Sequence, residues 1–95
     1  MSKRQESFTL AAGETRILAP VGAPWSLAVD ADSGGEVLLM LTVTPAHAIG
    51  ADGSGALWHQ LGEMITGQEL SAYPAPVTGL LVQAVGAGAT VELAS

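Results

Sequence analysis

The run Glu36 to Pro45, EVLLMLTVTP, constrains the fold of this chain more than any other stretch. Its residues are branched or long and apolar, it opens after Ser33-Gly34-Gly35, and a proline closes it. Side chains alternate across a strand, so Val37, Leu39, Leu41 and Val43 point one way and Leu38, Met40, Thr42 and Thr44 the other. Both faces are largely apolar. That pattern predicts a central strand covered on both sides rather than an edge strand with one wet face.

A second run, Val77 to Val85, repeats the two-sidedness, with Leu80, Val82 and Ala84 on one face, Leu81 and Val85 on the other, and Gln83 intruding. Around these two runs the chain alternates in short pieces. Ser7 to Leu10 reads as a strand with Phe8 and Leu10 inward, and Thr15 to Ala19 as a second strand pairing back on the first. Pro20 to Pro24 breaks any ladder, because each proline removes a donor and fixes its own φ. Trp25 to Asp30 places Trp25, Leu27 and Val29 on one face, and Ala31 to Gly35 carries the turn chemistry of a hairpin into the central strand. Ala46 to Gly55 is a loop of small residues. Trp58 and Leu61 cannot share a face under strict alternation, so either a bulge sits between them, the favoured expectation, or Leu57 and Leu61 face inward with Trp58 outside. A short strand around Met64 and Ile65 and a loop or edge segment from Gln68 to Pro76 follow. Gly86-Ala87-Gly88 reads as a hairpin into Ala89 to Ala94, with Val91 and Leu93 inward. No segment has a period of 3.6. The expected fold is all-β: a single-domain, jelly-roll-like β-sandwich (residues 7–95) of about eight short antiparallel strands behind an N-terminal arm (residues 1–6).

Composition sharpens the argument about surface. A 95-residue chain forms one small domain, which buries only about two-thirds of the surface its unfolded chain exposes. Yet 48% of residues are hydrophobic and 13% are charged, against a usual charged share of about 25%. Apolar patches left in water mark interaction surfaces, so a self-associating or docked subunit is expected. Lys3, Arg4 and Arg16 are the only Lys and Arg residues, and the net charge is -6. Without cations arrayed on the body, nucleic acid and anionic membrane are excluded as expected partners. The basic arm suits an acidic neighbour. Cysteine is absent, no signal-peptide pattern is read at the N-terminus, and the longest apolar run is too short for a membrane helix.

Catalytic and metal patterns were sought without result. His47 and His59 lie apart with no ligand cluster beside them, and Asp30, Asp32 and Glu36 lack the later oxygens and the glycine placement of a calcium loop. Gly53-Ser54-Gly55 lacks the spacing of a nucleophile elbow, and Gly86-Ala87-Gly88 precedes no helix that could cradle phosphate. No enzyme, metal or cofactor is expected. Trp58 and Tyr73 are candidates for stacking on sugar rings, which is the basis of an alternative reading as a fibre-type carbohydrate- or receptor-binding module.

The order Asp52-Gly53-Ser54-Gly55, then Leu57 to Gly62 (LWHQLG), then Ala75-Pro76-Val77, then Gly88 to Leu93 (GATVEL) resembles small β-sandwich structural proteins of tailed bacteriophages. The resemblance runs from about Val37 to Ser95, and it departs at Gln83, where such proteins often carry arginine. It implies a virion component assembled in the bacterial host cytoplasm: a capsid decoration (cement) protein or part of a fibre, commonly a trimer or another symmetric homo-oligomer, with the major capsid protein or another virion protein as partner. The interface candidates are Lys3, Arg4 and Arg16 for the arm contact and Leu38 and Met40 on the central strand.

Overall fold

The computed structural model describes residues 5–21, 24–73 and 77–94. It is all-β, with strands β1 (Gln5–Leu10), β2 (Thr15–Leu18), β3 (Trp25–Ala31), β4 (Glu36–Thr42), β5 (His59–Gln60), β6 (Gln68–Tyr73), β7 (Gly79–Val85) and β8 (Ala89–Ala94), and one turn of 3-10 helix at Ala46–Ala48. β1 starts at Gln5, so Gln5 and Glu6 belong to the sandwich and not to the expected arm.

Two four-stranded antiparallel sheets form, ordered β1-β8-β3-β6 and β2-β7-β4-β5. First strand pairs with last, second with seventh, third with sixth and fourth with fifth. This is a long double ribbon rolled into a sandwich, the jelly-roll arrangement. The rolling overturns three expected pairings. β2 pairs with β7, not with β1; and β3 to β4 and β7 to β8 are arches between sheets, not hairpins. Of the seven connections only β4 to β5 stays within one sheet.

Period-two alternation decides what goes inside. Trp25, Leu27 and Val29 of β3 and Val91 and Leu93 of β8 face Val37 and Leu39 of β4 and Leu80, Val82 and Ala84 of β7. Each fully buried aliphatic side chain here contributes about 1.5–3 kcal/mol relative to exposure. β4 is an inner strand of its sheet as expected, but only one of its faces is covered: Val37 and Leu39 are buried while Leu38 and Met40 are half-exposed. They point away from the second sheet.

The expected bulge between Trp58 and Leu61 does not form. Alternation continues unbroken, with Leu61 donating its N–H to the Leu39 carbonyl and packing against the core while Trp58 lies on the outer side. The irregularity falls later, where Gly62 to Met64 loop out before Ile65 bridges to Val37. Gly62 adopts φ 67°, a left-handed conformation that glycine reaches without a Cβ clash. The strand expected around Met64 and Ile65 shrinks to that single bridge.

The rolled topology gathers the connections at two ends. At one end the β2–β3, β4–β5 and β6–β7 connections meet: Val21 N–H donates to the Thr78 carbonyl and Thr78 N–H to the Thr42 carbonyl. At the other, Asp32 N–H donates to the Gly88 carbonyl and Gly13 N–H to the Ala84 carbonyl. Among the described residues Pro20, Pro24 and Pro45 fall in the first set of connections. Glu14, Asp32 and Glu63 fall in the second, beside Glu36 at the start of β4.

Candidate interaction surfaces

The two sheets present different outer faces to water. On the β1-β8-β3-β6 sheet, register aligns Ser7, Glu92, Ala28 and Leu70 in one row and Thr9, Thr90, Asp30 and Gln68 in the next. Gln68 Nε2 donates to Asp30 Oδ2 at 3.4 Å. This face is small, hydroxyl-rich and acidic. It holds an open trough of about 460 Å³ lined by side chains including Ser7, Ser26, Leu70 and Glu92.

The outer face of the β2-β7-β4-β5 sheet is the opposite in character. Ile17, Leu81, Met40 and Gln60 form one row and Thr15, Gln83 and Leu38 the next, with Val85 and Glu36 beyond. Glu36 borders an aliphatic patch of Ile17, Leu38, Met40, Leu81 and Val85, whose Ile17 side is approached by Gly53 of the β4–β5 connection. Three strands about 4.8 Å apart and about six residues long give it a projected area of about 300 Å². Apolar patches of about 300–600 Å² are the largest that monomers usually expose, and they are often functional. Leu38 and Met40 both lie in it, as neighbours on adjacent rows.

Arg16 has a different place. It sits on β2, which borders β1 of the other sheet, and its guanidinium lies 4.5 Å from the centroid of the Phe8 ring. Its Nη2 also donates to Glu6 Oε1 at 3.3 Å. The cation therefore closes the seam between the two sheets beside Phe8, with its side chain still 46% exposed. Lys3 and Arg4 lie outside the described residues.

The β4–β5 connection folds back over the proline-bearing end. Ile49 approaches Gly79 closely, and Gly53 sits against Ile17 and the Trp58 indole. Trp58 Nε1 donates to the Gly53 carbonyl at 2.8 Å, so the ring is half-buried and its donor is used by its own loop. Tyr73 belongs to β6, in the other sheet, paired with Trp25. The Trp58 backbone leads into β5 of one sheet, and that of Tyr73 ends β6 of the other. Asp52 accepts from Ser54 N–H at 3.0 Å, and the Ser54 hydroxyl and amide hold its carboxyl below the usual 3.8.

Sequence reasoning missed a feature at this end. Val43 and Leu57 are 69% and 77% exposed, among the most exposed large apolar side chains described. Hydroxyls pin both. Thr44 Oγ1 accepts from Leu57 N–H at 3.0 Å and from Thr42 Oγ1 at 3.0 Å, and Thr78 Oγ1 donates to the Thr42 and Thr44 carbonyls. Thr42 is fully buried beneath them. Three threonines thus fix two aliphatic residues in water, at positions 14 apart in the chain. The one available signal was the cluster of threonines at the ends of two apolar runs.

His47 and His59 are exposed and separate, and no group of three or more metal-ligating residues occurs among the described residues. Among the described residues Thr42 is the one buried polar or charged side chain, and apolar side chains fill the rest of the core.

No family model and no curated protein matches the chain. Solved structures match in shape. Peruvianin-I, a cysteine peptidase from Thevetia peruviana latex, superposes with a TM-score of 0.59 at 18% identity over 97% of this chain and 48% of its own. An oxalate oxidase gives 0.56 and 17% over 97% of this chain and 40% of its own. RmlC from Streptococcus suis, in complex with dTDP-D-xylose, gives 0.52 and 16% over 98% and 43%. The chain spans less than half the length of each. At such identities the likeness concerns architecture alone, and a jelly-roll architecture hosts many unrelated activities: the chain has the rolled double-sheet fold that these proteins contain.

Proposed function

We propose that this chain is a non-enzymatic structural subunit of a phage virion, a capsid decoration (cement) protein that self-associates and binds the head surface. The observation that carries the reading is the aliphatic outer face of the β2-β7-β4-β5 sheet on a chain of net charge -6. A broad, flat, uncharged face offers affinity through burial and no obstacle of desolvated charge. The opposite, hydroxyl-rich and acidic sheet would remain toward solvent. The virion assignment rests on the sequence resemblance of Val37 to Ser95, and the partner it implies is the major capsid protein or another shell component. The interior, filled by aliphatic side chains, supports a role in contact rather than in chemistry.

Light scattering and co-sedimentation with undecorated capsids test the reading together. The expected result is a mass above one chain, trimeric in the arrangement favoured by the resemblance, and co-sedimentation with the capsids. A monomer at high concentration that also fails to bind capsids refutes it.

A further inference from the structure

β1 and β6 are the two edges of one sheet, and backbone parity fixes which of their groups are spare. Ala31 N–H donates to the Gly67 carbonyl. In the β3–β6 register, Glu69 and Ser71 therefore turn their N–H and C=O toward β3, while Gln68, Leu70 and Ala72 turn theirs outward. The bond from Asp32 N–H to the Gly88 carbonyl leaves Gln5, Ser7 and Thr9 of β1 turned outward by the same reasoning. A row of outward backbone groups is a template for a further strand. The β6 edge is open to one: Leu70 is 70% exposed, and a trough of about 560 Å³ beside it is lined by residues including Leu61, Glu63, Thr66 and Ser71.

Glu69 restricts what this template accepts. It is exposed and stands opposite buried Val29, on the side of β6 that faces the second sheet. An inward-facing charge on an edge strand blocks indiscriminate pairing, because a strand laid over it must bring a cation. Lys3, Arg4 and Arg16 are the only Lys and Arg residues, and Arg16 is held against Phe8 and Glu6. Lys3 and Arg4 directly precede β1 in the sequence.

We infer that the segment around Lys3 and Arg4 of a second copy adds to β6 as an antiparallel strand, with Arg4 opposite Glu69. The inference rests on the multi-copy role proposed above and names the contact that joins the copies, leaving the aliphatic sheet face for the shell. Direction, parity, charge and reach select this occupant. The three pairings between β1 and β6 are all antiparallel, so the two edges run in opposite senses. A copy set alongside with the same face outward thus brings its β1 side antiparallel to β6. With Arg4 opposite Glu69, Gln5 meets Gln68, and both have their backbone groups turned outward. A slip of two residues would set Glu6 or Ser2 against Glu69 instead. Reach excludes the chain's own segment. Arg4 lies one residue, about 3.8 Å, from Gln5, whereas β6 is three strand spacings, about 14 Å, from β1. The contact joins unlike edges, so its repetition closes a ring, such as the trimer favoured by the resemblance, or extends a chain of copies.

Sedimentation equilibrium of the isolated protein from about 10 µM to about 1 mM tests this, a range that brackets weak self-association. The expected weight-average mass rises with concentration above the 9.6 kDa of one chain. Arg4→Glu and Glu69→Arg are each expected to stay at one chain, and the double variant Arg4→Glu, Glu69→Arg to regain the concentration dependence of the parent. Leu70→Pro removes an outward N–H and no bond to β3, so it should keep a cooperative melt and lose association. Failure of the charge swap to restore association overturns the inference. If Leu70→Pro associates as the parent does and Leu38→Lys does not, the self-contact belongs to the sheet face: the edge inference is overturned and the structural-subunit reading stands. If the parent stays monomeric across the range, the edge inference is overturned, and capsid binding alone then decides the proposed function.

Discussion

Leu38 and Leu39 are adjacent in sequence and face opposite ways, which makes them a test of the fold and of the surface at once. Leu39 is 2% exposed and packs between the sheets. Leu39→Ala removes three carbons from a close-packed site, and comparable truncations cost about 2–5 kcal/mol, part transfer and part cavity. Leu38 lies on the outer face between Gln83 and the edge of the sheet, half-exposed. In Leu38→Lys the four-carbon stem can lie along the same neighbours while the ammonium reaches water, so the expected cost is about 1 kcal/mol or less. In a domain of this size 1 kcal/mol shifts the Tm by about 4–8 °C. Leu39→Ala should therefore melt at least about 10 °C lower than the parent, and Leu38→Lys within about 8 °C of it. The assay is thermal and urea unfolding followed by circular dichroism, with capsid co-sedimentation in parallel. Leu38→Lys should fold and fail to co-sediment. Unfolding of Leu38→Lys as severe as that of Leu39→Ala would show that position 38 is core and refute the outward assignment of this face.

Two further expectations concern single contacts. Arg16→Ala should destabilise the fold by about 0.5–1 kcal/mol, through loss of the ring contact with Phe8 and of the partly exposed Glu6 pair, and amide exchange in β1 should report it more than exchange in β3. The Asp52 carboxyl, read by carbon NMR during an acid titration, should have a pKa below 3.8. Because that pKa is depressed in the folded state, its small contribution is present above about pH 4 and is lost as pH falls through the folded value; Ser54→Ala should return the titration toward 3.8.

Burial was legible in the sequence, and pairing was not. Period two grouped Trp25, Leu27 and Val29 on one face, Leu80, Val82 and Ala84 on another, and turned Val91 and Leu93 inward; all three sets are buried, because a one-residue slip would expose each entire set. Ala31 to Gly35 and Gly86 to Gly88 looked like hairpin turns because arches between sheets use the same glycine-rich chemistry. What separates the two is the partner strand, which lies elsewhere in the chain. The aliphatic patch was half legible. Leu38 and Met40 were read from the second apolar face of their strand, whereas Ile17 joins them only through β7, which the sequence does not place beside β2. Val43 and Leu57 were invisible for a similar reason: a single hydroxyl on Thr44 links segments separated by a long loop. The contacts of Arg16 with Glu6 and Phe8 were not legible either, because both partners come from the neighbouring sheet.

The pairing of β8 also governs how the protein can be made and cut. β8 is the last strand in the chain and lies between β1 and β3, an inner member of its sheet. Removing its six residues would not trim an edge but split that sheet, leaving β1 with no strand beside it. During synthesis β1 meets its sheet partner only once β8 has been made, so this pairing is long-range and forms after the strands between them have emerged.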